Sequence, residues 1–163
     1  MINVERSWLK ANPKYILSDE QEIKFSKLKL RREKGEPIAY IIGNRGFWTL
    51  DLKVNESVLI PRPESELIIE LSLDLPLTNK ADVLDLGTGS GCIGISLAML
   101  NEDFIVFGID ISEDAIRVAR KNNLTYRKKN FFLIQSNWAS CFQKDSIDCI
   151  ISNPPYIDKD DSH

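Results

Sequence analysis

The feature that most constrains this chain lies over residues 83–95. Val83, Leu84 and Leu86 form a short apolar run interrupted only by Asp85. It breaks into Gly87-Thr88-Gly89-Ser90-Gly91, and apolar residues then resume at Ile93 and Ile95. A short apolar run bounded by glycine reads as a buried strand, and the resumed pattern, extending to Leu100, is long enough for a helix. Glycines at such a junction let the backbone turn sharply and let a ligand approach the main chain closely. Strand, glycine loop and helix in this order therefore predict a parallel α/β sheet with a ligand site at its carboxyl edge.

The rest of the chain extends this pattern. Strands are predicted over 83–86, 105–109, 131–135 and 147–152, with helices over 93–100 and 113–122 between them, which implies a parallel sheet wrapped on both faces. Upstream, Ser18 followed three residues later by Gln21 reads as a capping box and predicts a helix over 19–34 stopped by Gly35. Residues 36–55 carry Tyr40, Phe47 and Trp48 between Gly43, Gly46 and Asp51, the signature of a small hairpin. Pro61 and Pro63 bracket Arg62, and Glu64, Ser65 and Glu66 follow, so a helix over 67–75 opens with proline and carboxylates at its positive end. The expected organisation is a helical region over 1–36, a β-hairpin connector over 37–57 and a ligand-binding α/β domain over 58–163. Four strands are predicted where a doubly wound sheet would normally continue, so the α/β domain reads as incomplete at its C-terminus.

Composition narrows the chemistry. With 43% hydrophobic and 28% charged residues the chain can bury a core. A net charge of -3 and a pI near 5.3 give no basic footprint for long nucleic-acid contacts. Cys92, Cys141 and Cys149 show no CxxC spacing and read as reduced thiols packed as small apolar residues, which fits a cytoplasmic protein. The one histidine, His163, is the last residue, so imidazole catalysis and histidine metal sites are not expected. No membrane span and no signal-peptide run stand out.

The glycine loop departs from a dinucleotide fingerprint, because counting from Gly87 and Gly89 the third glycine position is Cys92. What remains is D-x-G-x-G-x-G over 85–91. The next strand ends in Gly108-Ile109-Asp110, with Asp110 about 20 residues beyond the loop, where a carboxylate can take both hydroxyls of a ribose. After the third strand, Asn137-Trp138 offers an indole to cover the face of a base. After the fourth comes Asn153-Pro154-Pro155-Tyr156. Its prolines fix the backbone and withhold donors, so the loop presents acceptors. The side-chain oxygen of Asn153 and the carbonyl of Pro154 can each accept one N–H of a planar NH2 group, and Tyr156 can stack on that group. Such a nitrogen is a poor nucleophile. Positioning it can contribute up to about 7 to 11 kcal/mol, and no strong base is required.

The loop over 85–91 resembles motif I of class I methyltransferases. Gly35-Glu36-Pro37-Ile38-Ala39-Tyr40, Phe47-Trp48, Leu59-Ile60-Pro61-Arg62-Pro63-Glu64-Ser65-Glu66, Asn137-Trp138 and Asn153-Pro154-Pro155-Tyr156 stand around it in order. On these landmarks the chain resembles, over nearly its whole length, the release factor glutamine methyltransferase (HemK) family. The resemblance implies a Rossmann-like class I methyltransferase sheet preceded by a small helical region and a β-hairpin. It implies S-adenosylmethionine as cofactor, held by Gly87, Thr88, Gly89, Ser90, Gly91, Asp110, Trp138 and Asn153. It also implies a substrate clamp of Asn153, Pro154, Pro155 and Tyr156, of which Asn153, Pro154 and Tyr156 act on the reacting amide. The implied reaction is methylation of the glutamine side-chain amide in the GGQ motif of class 1 peptide-chain release factors, by a cytoplasmic monomer with no membrane or nucleic-acid partner. The family continues for roughly another hundred residues with the remaining strands of such a sheet, so the chain reads as truncated. The competing readings are a methyltransferase for an exocyclic base amine of DNA or RNA, which presents a similar NH2, and an inactive fragment that only binds cofactor.

Overall fold

A computed structural model describes residue 4 and residues 6–78 and 80–154. The chain divides into two compact units, Met1–Ile42 and Gly43–His163. In the first, α1 (Arg6–Ala11) precedes α2 (Asp19–Glu33) and α3 (Ile38–Ile42). Both expected ends of α2 are present. Ser18 Oγ accepts from the Gln21 amide while the Gln21 side chain accepts from the Ser18 amide, which closes the capping box. Beyond Lys34, Gly35 adopts φ +91, its N–H donates to Arg32 O and that of Glu36 to Arg31 O. That pair of bonds is a Schellman stop, which needs the left-handed residue that glycine supplies.

The second unit opens with an antiparallel hairpin, β1 (Asn44–Phe47) and β2 (Leu50–Lys53), paired from Asn44↔Lys53 to Phe47↔Leu50. Within the expected 37–57 connector, residues 38–42 are thus helical, and the hairpin is confined to 44–53. Leu50 and Leu52 are buried and Asp51 and Lys53 exposed, the alternation of a strand with one covered face. A 3₁₀ turn (Pro63–Ser65) leads directly into α4 (Glu66–Leu73), with Arg62 at its N-cap and proline where the missing N–H costs nothing.

The sheet follows: β3 (Asp82–Leu86), α5 (Cys92–Leu100), β4 (Ile105–Asp110), α6 (Glu113–Tyr126), β5 (Phe131–Gln135) and β6 (Cys149–Ser152). The expected strand over 147–152 is therefore shorter at its start. All pairings are parallel, in the order β5-β4-β3-β6. The chain moves outward from β3 to β5 and then returns to the other side of β3, so the order reverses between β3 and β6, where ligands bind in open α/β sheets. Val83 and Val106 join Ile93, Ile95, Leu97 and Ala98 of α5 in one buried apolar cluster, while Leu84 and Ile109 of the sheet and Ala115, Ile116 and Ala119 of α6 are buried as well. Cys141 is exposed and Cys92 and Cys149 are half-buried, all with free thiols, so the expected packing of three core cysteines fails at Cys141.

Two side chains of α6 hold the hairpin. Asn122, 1% exposed, accepts from Lys53 N–H at 2.8 Å and donates to the carbonyls of Lys53 and Ser90 at 3.0 and 2.8 Å. Tyr126 Oη accepts from Asp51 N–H and donates to Asp51 O. The amide of Asn122 thus joins the edge of β2 to the glycine loop, satisfying backbone groups that burial would otherwise leave unpaired.

Close packing of α5 on the sheet falls to Gly94 rather than to position 92. A Cβ on Gly94 would lie 2.4 Å from Cε2 of Phe131, and one on Gly108 2.7 Å from its Cζ. The Phe131 ring occupies the space both glycines leave. Gly94→Ala and Gly108→Ala should each lower stability by about 1–3 kcal/mol through overpacking, and Phe131→Leu should relieve part of the loss in either background. Denaturant midpoints check this, and an alanine variant as stable as the parent would refute the packing account.

Candidate functional site

The carboxyl ends of all four strands of the sheet converge on one cavity of about 350 Å³. Leu86, Gly87 and Gly89 line it after β3, Ile109, Asp110 and Ile111 after β4, Ser136, Asn137 and Trp138 after β5, and Ser152, Asn153 and Pro154 after β6. Ser57, Val58 and Leu59, which precede the 3₁₀ turn, complete the wall together with Ala115. The volume is that of a small-ligand site.

The loop owes its shape to Asp85, the one charged residue buried in β3. Its Oδ2 accepts from the Thr88 hydroxyl at 2.6 Å and from the Gly94 amide at 2.9 Å. Gly87, Gly89 and Gly91 all adopt positive φ, at +76, +53 and +80. A Cβ on Gly87 would meet nothing within 4 Å, and one on Gly89 only Gly87 O at 4.0 Å, so the space above both is open to a ligand. Gly91 differs. It caps α5, its Cβ would press on Ala119 at 3.2 Å, and it is absent from the cavity wall. The hydroxyl of Thr88 is committed to Asp85. Ser90 and Thr88 instead line a smaller recess of about 40 Å³ shared with Gly87, Gly89, Arg62, Ser65 and Asn153. There Ser90 Oγ is buried and, apart from the weakly bonding Cys92 thiol, has no hydrogen-bond partner among the described residues.

Asp110 is held by backbone amides on both oxygens: Oδ2 accepts from Gly89 at 3.0 Å and Oδ1 from Ser112 at 2.9 Å. Each oxygen keeps a second lone pair, so a carboxylate of fixed orientation borders the cavity. Trp138 lies at the rim, 65% exposed, with φ +54. A left-handed conformation at a bulky residue is strained, and such strain clusters at ligand sites. Asn153 is half-buried and donates through Nδ2 to Ser65 Oγ, while Ser152 Oγ donates to Leu86 O at 2.8 Å and fixes the exit of β6. Pro155 and Tyr156 lie outside the described residues. The structure thus brings Gly87, Gly89, Asp110, Trp138, Asn153 and Pro154 to one cavity, with Thr88 and Ser90 beside it.

Sequence reasoning did not find Ser57, Val58 and Leu59 or the contact of Ser65 with Asn153. These residues meet the sheet only in three dimensions. The signal available was the dense run from Leu59 to Glu66, which marked the family resemblance but by its own residues read locally as a helix start.

Burial pushes the Asp85 carboxyl up to about 6, with Asp110 adding to the rise and the bonds from Thr88 and Gly94 opposing it. A folded-state value above the unfolded value of about 3.9 means that the folded chain binds more protons between about pH 4 and 6. The contribution of Asp85 to stability therefore falls as pH rises through that window and is level above it. Asp85→Asn retains an acceptor and cannot titrate. The parent should lose stability relative to this variant from about pH 4 to 6, by on the order of 3 kcal/mol. Denaturation curves of both across the window check this, and parallel curves would contradict it.

Comparison with known proteins shows the family. The family described as "Methyltransferase small domain" matches residues 65–163, and that described as "PrmC N-terminal domain" matches residues 1–43. A release factor glutamine methyltransferase of Shewanella oneidensis is 41% identical over 162 residues, 99% of this chain and 57% of its own. One of Aliivibrio fischeri is 42% identical over 164 residues, 100% of this chain and 58% of its own. The chain thus spans a little over half the length of these curated relatives. Among solved structures, a Pyrococcus abyssi tRNA (uracil-54, C5)-methyltransferase in complex with S-adenosyl-L-homocysteine shares the fold, with TM-score 0.55 and 23% identity over 69% of this chain and 28% of that one. The chain belongs to the methyltransferase small-domain family and, over nearly its whole length, is similar to release factor glutamine methyltransferases.

Proposed function

We propose that this chain binds S-adenosylmethionine in the cavity at the strand ends and directs its methyl group to the glutamine side-chain amide in the GGQ motif of a class 1 peptide-chain release factor, in the cytoplasm. The observation that carries the reading is that one cavity is lined by Asp110 with its carboxylate held by backbone amides, by Gly87 and Gly89 with open space above them, by Trp138, and by Asn153 and Pro154. The names of relatives about 40% identical over nearly the whole chain, release factor glutamine methyltransferases, support a release-factor glutamine as the substrate.

The residues present fit such a nucleoside. The free lone pairs of Asp110 suit the two hydroxyls of a ribose, in charge-assisted hydrogen bonds. The open positions above Gly87 and Gly89 admit a ligand against the main chain. The poorly satisfied Ser90 hydroxyl in the adjoining recess offers a polar contact to the amino-acid end. When bound, the sulfonium supplies an activated methyl group and departs as a neutral thioether.

The protein's part is to place and desolvate a weak nucleophile. Asn153 Oδ1 and the Pro154 carbonyl each accept one N–H of the substrate amide, which fixes the nitrogen toward the methyl donor. Methyl transfer would exchange the S–C bond of the donor for an N–C bond on the amide, with one amide proton passing to water while Asn153 and Pro154 hold the nitrogen in place. No side chain need act as a strong base, so the rate gain comes from orientation. Trp138 at the rim covers one face of the base.

Two substitutions test the assignments. Asp110→Ala should weaken S-adenosylmethionine binding by about 1.5–3 kcal/mol, the loss of charge-assisted hydrogen bonds; unchanged affinity by calorimetry would remove Asp110 from the site. Asn153→Ala should lower turnover far more than cofactor affinity, because it deletes an acceptor used mainly in the transition state. Methylation of a release factor, read by mass spectrometry of its GGQ peptide, is the direct measurement. Normal turnover by the Asn153 variant would exclude the clamp.

A further inference from the structure

Ser65 lies 88 positions before Asn153 in sequence, yet its hydroxyl accepts the hydrogen bond from Asn153 Nδ2. It is 4% exposed, at the junction of the 3₁₀ turn and α4, and with Asn153 it lines the small recess beside the main cavity. Its surroundings leave it little freedom. The Ser65 amide donates to Arg62 O at 3.0 Å, the Arg45 guanidinium donates to Pro61 O at 3.3 Å, and Glu66 Oε1 accepts from the Trp48 amide at 2.8 Å. Trp48 turns the hairpin with φ +53, a strained value for a tryptophan, and the Glu66 carboxylate holds its N–H there. Residues 61–66 are thus strapped to the hairpin on one side and to the loop after β6 on the other.

An asparagine amide has two ends of nearly equal shape and opposite hydrogen-bonding sense, and its partners decide which end faces where. With Nδ2 committed to Ser65, Oδ1 is the end turned the other way. We propose that Ser65 is a positioning residue that sets the amide of Asn153 so that its oxygen, rather than its NH2, meets the incoming substrate nitrogen. A flipped Asn153 would set NH2 against NH2, donor against donor. This inference rests on the reading of Asn153 as a substrate acceptor. It also explains what the hairpin contributes, because through Glu66 and Arg45 the hairpin fixes the segment that carries Ser65.

The test has two arms. In the first, the side-chain NH2 of Asn153 is followed by NMR in isotope-labelled protein, identified by its loss in Asn153→Asp. Ser65→Ala should speed hydrogen exchange of this group about tenfold, the change produced by losing a hydrogen bond worth about 1.4 kcal/mol, and Ser65→Thr should restore protection. Unchanged exchange in Ser65→Ala would overturn the proposal, as would a hydroxyl that donates to Oδ1 instead, which leaves exchange insensitive. In the second arm, Ser65→Ala should lower kcat for release-factor methylation by about tenfold or more while KM for S-adenosylmethionine stays within about twofold, and Ser65→Thr should recover most of kcat. A merely structural loss would move both constants and the melting temperature together. Equal kcat in parent and Ser65→Ala would overturn the positioning role. If the parent methylates no release factor yet the exchange of Asn153 responds to Ser65, the functional reading falls and the positioning of the amide stands.

Discussion

The cavity depends on one buried carboxylate. Asp85 sits in one of the two inner strands of the described sheet, between Leu84 and Leu86, a position where a charge is costly unless it is hydrogen-bonded. Its bonds to the Thr88 hydroxyl and the Gly94 amide close the loop onto the start of α5. Between these bonds the glycines pass through three positive φ values. That path leaves Gly87 and Gly89 with open space above them and aims the Gly89 amide at Asp110. Asp85 therefore acts at a distance from any ligand. It shapes the loop, and the loop orients the carboxylate that borders the cavity.

A second constraint comes from outside the sheet. The hairpin has a buried apolar face, Phe47, Leu50 and Leu52, and backbone groups on its edge that need partners. Asn122 and Tyr126, four residues apart on α6 and so on one face of the helix, provide these. Because the Asn122 amide also bonds Ser90 O, the hairpin is coupled to the glycine loop. On its other side the hairpin is bonded to residues 61–66, which reach Asn153. The hairpin thus contacts both halves of the site's scaffold without lining the cavity itself.

Much of this was legible residue by residue where the information is local. A capping box and a glycine stop bounded α2, because both are satisfied within a few residues of chain. The alternation of apolar runs and helical patterns gave each strand of the sheet to within two residues, because a buried parallel strand can hold little but apolar side chains. The expected connector failed at residues 38–42, where Ile38, Ala39, Tyr40, Ile41 and Ile42 carry strand-like composition yet form a helical turn after Pro37. In so short an apolar run, periodicity cannot separate the two states.

For the site, the sequence by itself determined the chemistry: a glycine loop after a strand, a carboxylate at the end of the next strand, and an acceptor loop after the last. These follow from chain order, since a parallel sheet brings the carboxyl ends of its strands to one edge. Only the tertiary structure decided which members of those motifs face the ligand. Gly91 and Thr88, equal members of the motif on paper, are turned to packing and to Asp85. Ser57 and Val58, which carry no motif, and Leu59 and Ser65, from the run over 59–66 that marked the family resemblance, stand in the walls. The reason is that backbone direction is set locally, by glycine, proline and capping. The direction of a side chain is set by whatever distant segment packs against it, and a segment such as 61–66 meets Asn153 only once the sheet has formed.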